Sequence, residues 1–168
     1  AMGGVGATCN PVIAYTTINQ HKDIWGPRIR RIADDNPTWG ESDIGWQAIK
    51  DMSVEAAGLL LPAFEKYNGV NGRLSVQTDP RLHRSAEQLV AQAVEFSELA
   101  PNIIVKAPAT KVGIEAIEEA TYRGVCMNVT VSFTVPQALV AGEAIERGLR
   151  RREAEGLRVD DMGPVVTI

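Results

Sequence analysis

A lysine that closes an apolar run is the residue in this sequence best placed for covalent chemistry. Ile103, Ile104 and Val105 make a short β-branched run, the pattern of a strand buried on both faces, and Lys106 follows at once. Desolvation disfavours an ammonium group and drives its pKa down, and a neutral amine in a pocket is a nucleophile towards carbonyls. The alternative is a strand-end lysine whose stem lies along apolar surface while its head reaches solvent. The neighbours favour the pocket: Pro108 breaks the strand, Thr110 can cap, and Lys111 to Gly113 open a helix whose N-terminal amides suit an anion. Lys111 either assists such an anion or is simply solvated. Polar residues at matching places elsewhere are Asn10, Gln77 to Asp79, and Asn128 with Thr130. Asn128 and Thr130 are two apart and share one face of a strand, with Val129 and Val131 on the other.

The elements that must position these groups alternate. A glycine-rich start at residues 3 to 11 reads as a short strand turning at Asn10-Pro11; its glycine spacing matches no phosphate-binding loop. Pro11 to about Ala33 has helical spacing, with Gly26-Pro27 expected to split it in two, and residues 34 to 40 form a loop. From Glu41, the residues Ile44, Ala48, Ile49, Met52, Ala56, Leu59, Leu60 and Phe64 recur at three and four, one apolar helix face that Pro62 should bend or end. Asn68 to Gly72 is a turn, and Arg73 to Thr78 alternates as a strand. Ser85-x-x-Gln88 reads as a capping box for a helix through Leu99. After the lysine strand come a helix from about Val112 to Tyr122, a strand from Val125 to Phe133, a helix from Val135 to about Glu155, and a strand from Val165. Strict alternation with short connections calls for a parallel sheet of right-handed βαβ units, whose chemistry gathers at the C-terminal strand ends. Strands polar on one face and apolar on the other fit a (β/α) barrel interior better than a flat doubly wound sheet.

Composition excludes several classes. The 168 residues are 45% hydrophobic and 23% charged, enough for a core in one domain spanning residues 1–168. The formal net charge of -4 argues against nucleic acid, and the cluster Arg150 to Arg152 is followed by Glu153 and Glu155, a solvated helix face. The longest apolar stretches, Ala56 to Ala63 and Val129 to Val135, fall short of the roughly 20 residues of a membrane span. Two cysteines, Cys9 and Cys126, are too few for a disulfide scaffold, which fits a cytoplasmic setting. Ala1 ahead of Met2 reads as the remnant of an expression tag, and nothing resembles a signal peptide.

Four motifs, in order, carry a family resemblance: A-T-C-N-P at Ala7 to Pro11, S-V-Q-T-D-P-R-L at Ser75 to Leu82, I-V-K-A-P-A-T-K-V-G at Ile104 to Gly113, and G-V-C-M-N-V-T-V-S-F at Gly124 to Phe133. Together they make the chain resemble the transaldolase family, class I Schiff-base aldolases on a (β/α) barrel, which includes the fructose-6-phosphate aldolases. The resemblance implies an α/β, TIM-type barrel, here incomplete at about five of eight βα units. It implies an enzyme of carbohydrate metabolism, acting in the pentose phosphate pathway on sugar phosphates and transferring a dihydroxyacetone unit. By the same resemblance Lys106 is the Schiff-base lysine, Asn10 and Asn128 hold substrate hydroxyls, Thr130 positions a proton-shuttling water, and Thr167 lies near the substrate phosphate. No metal or other cofactor is implied. Gln77 stands where transaldolases carry a glutamate; it can hold a water but cannot take its proton, and glutamine there is the fructose-6-phosphate aldolase pattern. That tilts the expected reaction towards simple aldol cleavage. Asp79, before Pro80, suits a turn or capping role.

Relative to the family, the first strand with its acid-base aspartate and the phosphate-binding arginine beyond Thr167 fall outside this sequence. Three accounts compete: a piece of a longer protein, a short paralogue that completes its sheet by self-association, or a non-catalytic remnant or assembly protein. An open barrel bares two strand edges, so association into a homo-oligomer is expected. Among the remaining residues, His21 and His83 read as surface or capping residues, Cys9 as a small packing residue at the pocket floor, and Trp25, Trp39 and Trp46 as core or oligomer contacts. Arg81 and Arg84 read as solvated arginines at a helix start, with phosphate binding the alternative.

Overall fold

The computed structural model describes residues 5–168. The first two glycines of the glycine-rich start and the Ala1-Met2 pair lie outside the described residues.

The described residues form five parallel strands and six α-helices in strict alternation after a helical excursion near the start. The strands are β1 (Gly6–Thr8), β2 (Arg73–Gln77), β3 (Ile103–Pro108), β4 (Met127–Thr130) and β5 (Val165–Val166), and each pairs with the next in sequence. The sheet curls into a half-barrel, an incomplete TIM-type α/β barrel as expected. The helices are α1 (Pro11–Gln20), α2 (Lys22–Asp35), α3 (Glu41–Lys66), α4 (Ala86–Ser97), α5 (Lys111–Tyr122) and α6 (Val135–Ala154).

Strand register sorts the residues onto two faces. Paired residues of parallel neighbours point the same way, and Thr8 pairs with Ser75, Gln77 with Lys106, Lys106 with Asn128, and Asn128 with Val165. One face therefore carries Thr8, Ser75, Gln77, Lys106, Asn128 and Thr130. The other carries Leu74, Val76, Val105, Met127 and Val129, all at most 2% exposed, beneath helices that contribute Leu89, Ala93, Phe96, Ile117 and Ala144. Burying that apolar face is the main force holding the half-barrel together, at about 25 cal/mol per Å². At the N-terminal end of the polar face Arg73 ties three segments together. Its guanidinium donates to the Gly69 carbonyl (2.7 Å), to Cys126 Sγ (3.2 Å) and to the Asp161 carbonyl (2.9 Å).

Several boundaries differ from the sequence expectation. The break after Pro11 falls at His21, whose φ of -123° and ψ of 49° end α1 and whose carbonyl accepts from Ile24 and Trp25. Pro27 lies inside α2 and Pro62 inside α3, which runs unbroken for 26 residues. A proline removes one helical hydrogen bond, and in α3 the packing of Ala48, Ser53 and Ala57, each at most 1% exposed, outweighs that loss. Leu59, assigned to the apolar face, is 85% exposed because the buried stripe runs through Ala57 instead. Strand β3 continues through Lys106 to Pro108, so the lysine lies within the strand. Strand β4 stops at Thr130 because Val131 adopts φ +58°, which turns its side chain away from the Val129 face and leaves it 46% exposed. Helix α4 ends at Ser97, and Ser85 caps it by accepting from the Gln88 amide at 3.2 Å.

The lysine strand is followed by a well-made helix start. Thr110 Oγ1 accepts from the Gly113 amide at 3.0 Å, relieving one of the unpaired first-turn donors of α5. Thr110→Ala is expected to cost about 1 kcal/mol, seen as a lower urea midpoint at an unchanged denaturant slope.

Candidate active site

The polar face converges at the C-terminal strand ends, the end where βα barrels place their chemistry. Lys106 occupies the central strand, half-buried, with Gln77 in register on one side and Asn128 on the other. Its Nζ donates to Thr8 Oγ1 at 3.3 Å, across the intervening β2. Its backbone is fixed from the same side: Thr78 donates to the Lys106 carbonyl through both its amide (3.2 Å) and its hydroxyl (3.0 Å). The strand that carries the amine is thus held rigidly, while the amine itself makes one hydrogen bond among the described residues.

Asn128 is oriented by two neighbours. Its Nδ2 donates to the buried Ser75 Oγ at 3.1 Å, and Thr167 Oγ1 donates to its Oδ1 at 2.9 Å. One amide hydrogen remains for a ligand. Thr130 pairs in register with Pro108 and donates to the Ala107 carbonyl at 3.4 Å, a long bond that leaves its hydroxyl able to engage a water.

A cleft of about 250 Å³ opens here, lined by Gln77, Asp79, His83, Lys106 and Thr130 with Pro108 and Leu89. It gathers three of the residues singled out from sequence, Gln77, Lys106 and Thr130. Asn128 lies on the adjoining strand β4 and Thr167 just beyond the end of β5, joined to each other. Asn10 also caps α1: its Oδ1 accepts from the Ile13 amide at 2.8 Å, leaving its amide nitrogen for other work. Cys9, expected at the pocket floor, belongs instead to the helix-packed core at 7% exposed; burial pushes its thiol up, against an opposing pull from the Lys106 charge.

The model matching residues 2–160 is that of the transaldolase/fructose-6-phosphate aldolase family. The chain belongs to this family. Among curated proteins, Transaldolase 2 of Streptomyces avermitilis is 33% identical over 165 residues, covering 97% of this chain and 44% of its own length. A transaldolase of Parafrankia sp. is 32% identical over 166 residues, with coverage of 97% and 44%. A transaldolase of Mycobacterium bovis is 35% identical over 155 residues, with coverage of 90% and 40%. The chain therefore spans less than half the length of these relatives, over a stretch that contains the lysine strand and both neighbours.

Within this family member two polar residues belong to the site although sequence reasoning passed them over. Thr8 meets the lysine amine and Ser75 orients Asn128. Ser75 was detectable in principle, since it stands two residues before Gln77 on the same strand and so shares its face. The rest of the rim is structural. Asp79 accepts from the Arg81 amide at 2.9 Å and from the Arg81 guanidinium at 2.5 to 3.0 Å, while Arg81 also donates to Ser42 at 2.7 Å. Arg81 is solvated as expected, its side chain 63% exposed, and it also ties the rim to α3.

Burial alone raises the Asp79 carboxyl, but the Arg81 hydrogen bonds and charge outweigh it and hold the carboxyl below its usual range. A depressed folded-state pKa adds stability that is complete above the unfolded aspartate pKa, about 3.9, and is lost as pH falls through the folded value. Asp79→Asn is expected to lower stability at neutral pH and to flatten its decline below about pH 4, measured by urea titration across pH. No helix among the described residues is long and apolar enough to cross a membrane.

Proposed function

We propose that this chain carries the Schiff-base centre of a transaldolase-type site acting on ketose phosphates. The supporting observation is Lys106 at the middle of a polar half-barrel face, in register with Gln77 and Asn128 at the C-terminal strand ends. In this reading Lys106 Nζ attacks the ketone carbon, and loss of water gives an imine. The imine is an electron sink, so the adjacent carbon–carbon bond breaks to leave an enamine instead of a free carbanion. Asn128, preset by Ser75 and Thr167, offers its spare amide hydrogen to a substrate hydroxyl, and the amide nitrogen of Asn10 offers another. Thr130 holds the water that moves protons, and Thr167 stands towards the sugar phosphate. Capture of the enamine by an aldose completes a three-carbon transfer of the kind used in the pentose phosphate pathway, in a cytoplasmic setting.

A second reading, aldol cleavage in the manner of a fructose-6-phosphate aldolase, is favoured by Gln77, an amide paired in register with Lys106 that can hold water without taking its proton. In either reading the exposed strands β1 and β5, each paired on one side only, are completed by further polypeptide, a second copy included.

The test is borohydride reduction in the presence of fructose 6-phosphate, followed by intact mass and peptide mapping. A stable adduct on Lys106 is the expected result. A folded sample that yields none would overturn the assignment and leave a fold without turnover.

A further inference from the structure

We propose that Thr8 is the positioning residue for the Lys106 nitrogen, a role that rests on the Schiff-base reading above. Its hydroxyl oxygen, 3.3 Å from Nζ, holds one N–H of the amine on the β1 side and so leaves the other side of the nitrogen open to the ketone carbon. Strand β1 lies beyond β2 from the lysine strand, whereas Asn128 and Thr130 stand on β4, on the opposite side of Lys106. The cleft is lined by Lys106, Gln77 and Thr130 but not by Thr8. The lysine is therefore gripped from outside the cavity that admits the sugar.

The grip is rigid at its source. Thr8 pairs in register with Ser75, and the Cys9 amide donates to the Ser75 carbonyl at 2.7 Å, which fixes the backbone that carries the hydroxyl. Threonine is branched at Cβ and stiff at χ1, so the oxygen is confined with that backbone. A lysine has a long flexible stem and, untethered, spreads its nitrogen over many rotamers. A reacting group already held in place reacts faster than one that must first be ordered.

The bond also survives the chemistry. The neutral amine, the ketone and one solvent proton give the iminium and one water. The nitrogen lone pair makes the first bond to carbon, and the pair freed by one departing N–H proton makes the second. The carbonyl oxygen leaves as water with that proton and the solvent proton, and one hydrogen stays on nitrogen. That hydrogen now belongs to a cation and donates to Thr8 Oγ1 as a charge-assisted bond, stronger than one between neutral groups. With the N–H directed at β1 the plane of the C=N bond is set, and with it the direction in which the sugar's C3–C4 bond aligns with the electron sink.

The experiment follows borohydride trapping with fructose 6-phosphate over time and against sugar concentration, in the unsubstituted chain and in Thr8→Val, Thr8→Ala and Thr8→Ser. Valine keeps the branched shape and strand preference of threonine without the oxygen, and serine keeps the oxygen without the methyl. The expected result is a maximal trapping rate lower by about 10-fold in Thr8→Val and Thr8→Ala and retained within about threefold in Thr8→Ser, with the half-saturating sugar concentration changed by less than about threefold throughout. A residue that only packed β1 would give the opposite order, since valine restores the packing and serine does not. Trapping at the original rate in both oxygen-free variants, or a fall in Thr8→Ser as deep as theirs, would overturn the role. A higher half-saturating concentration at an unchanged maximal rate would overturn it too, by placing the hydroxyl on the sugar instead of the amine. An unsubstituted chain that forms no adduct removes the Schiff-base reading and this role with it.

Discussion

Lys106→Met is expected to abolish the borohydride-trapped adduct and to reduce sugar-phosphate turnover by about 10⁴-fold or more, the scale on which loss of a covalent nucleophile acts. Methionine keeps the length of the aliphatic stem and removes only the amine, so the effect is chemical and the fold is spared. Among the described residues the lysine makes one side-chain hydrogen bond, to Thr8 at 3.3 Å, and its backbone bonds do not depend on the side chain. The melting temperature should therefore stay close to that of the unsubstituted chain. Lys111→Met is the control: Lys111 is exposed at the start of α5 and does not line the cleft, so its adduct yield should be unchanged. Equal adduct yields from the Lys106 and Lys111 variants would place the reactive amine elsewhere.

The largest expected effect on stability comes from Gly113→Ala. A Cβ at this position would stand 1.9 Å from the Pro108 carbonyl oxygen, 3.0 Å from its carbonyl carbon and 3.0 Å from Thr110 Oγ1. The first turn of α5 is packed directly against the end of β3, and the obstructing atoms are backbone, which cannot rotate away. A cost of about 3 kcal/mol is expected, at the upper end of overpacking penalties, lowering the melting temperature by roughly 6–12 °C for a chain of this size. Gly142→Ala in α6 is the contrast, since its Cβ meets nothing within 4 Å and alanine favours a helix; a gain of about 0.5–1 kcal/mol is expected there. Circular dichroism melts of both variants decide the matter. The Gly113 variant should also trap less adduct, because the obstructed segment begins two residues beyond Lys106.

Much of the site was legible in order but not in detail. Alternation marked the face shared by Asn128 and Thr130, and the lysine at the end of a β-branched run marked the catalytic candidate. Alternation says nothing about which polar groups meet across strands. That Thr8 reaches Lys106 over β2, or that Ser75 and Thr167 orient Asn128 from opposite sides, follows from register between strands far apart in sequence. Asn10 carries a task that residue type alone did not single out: its Oδ1 caps α1, which leaves the amide nitrogen for a ligand.

Local rules failed where packing overruled them. Pro27 was read as splitting its helix and Pro62 as bending or ending its own, yet neither ends the helix it lies in, because one lost hydrogen bond is small beside a buried helix face. Leu59 had the right spacing for the core but points to solvent, since a 26-residue helix drifts relative to any fixed three-and-four pattern. Val131 continued an alternating run that its own positive φ cut short.

By itself, then, the order of residues determined the alternation of strands and helices, the parallel sheet, the polar lining and the choice of Lys106, because period-two and period-3.6 patterns and turn residues act over short distances. The tertiary structure decided which polar groups are already spent and which are free. Register pairs Lys106 with Gln77 and Asn128, and the Arg81 pair occupies the Asp79 carboxylate. Such assignments depend on contacts between residues that only the closed-up sheet brings within hydrogen-bonding reach.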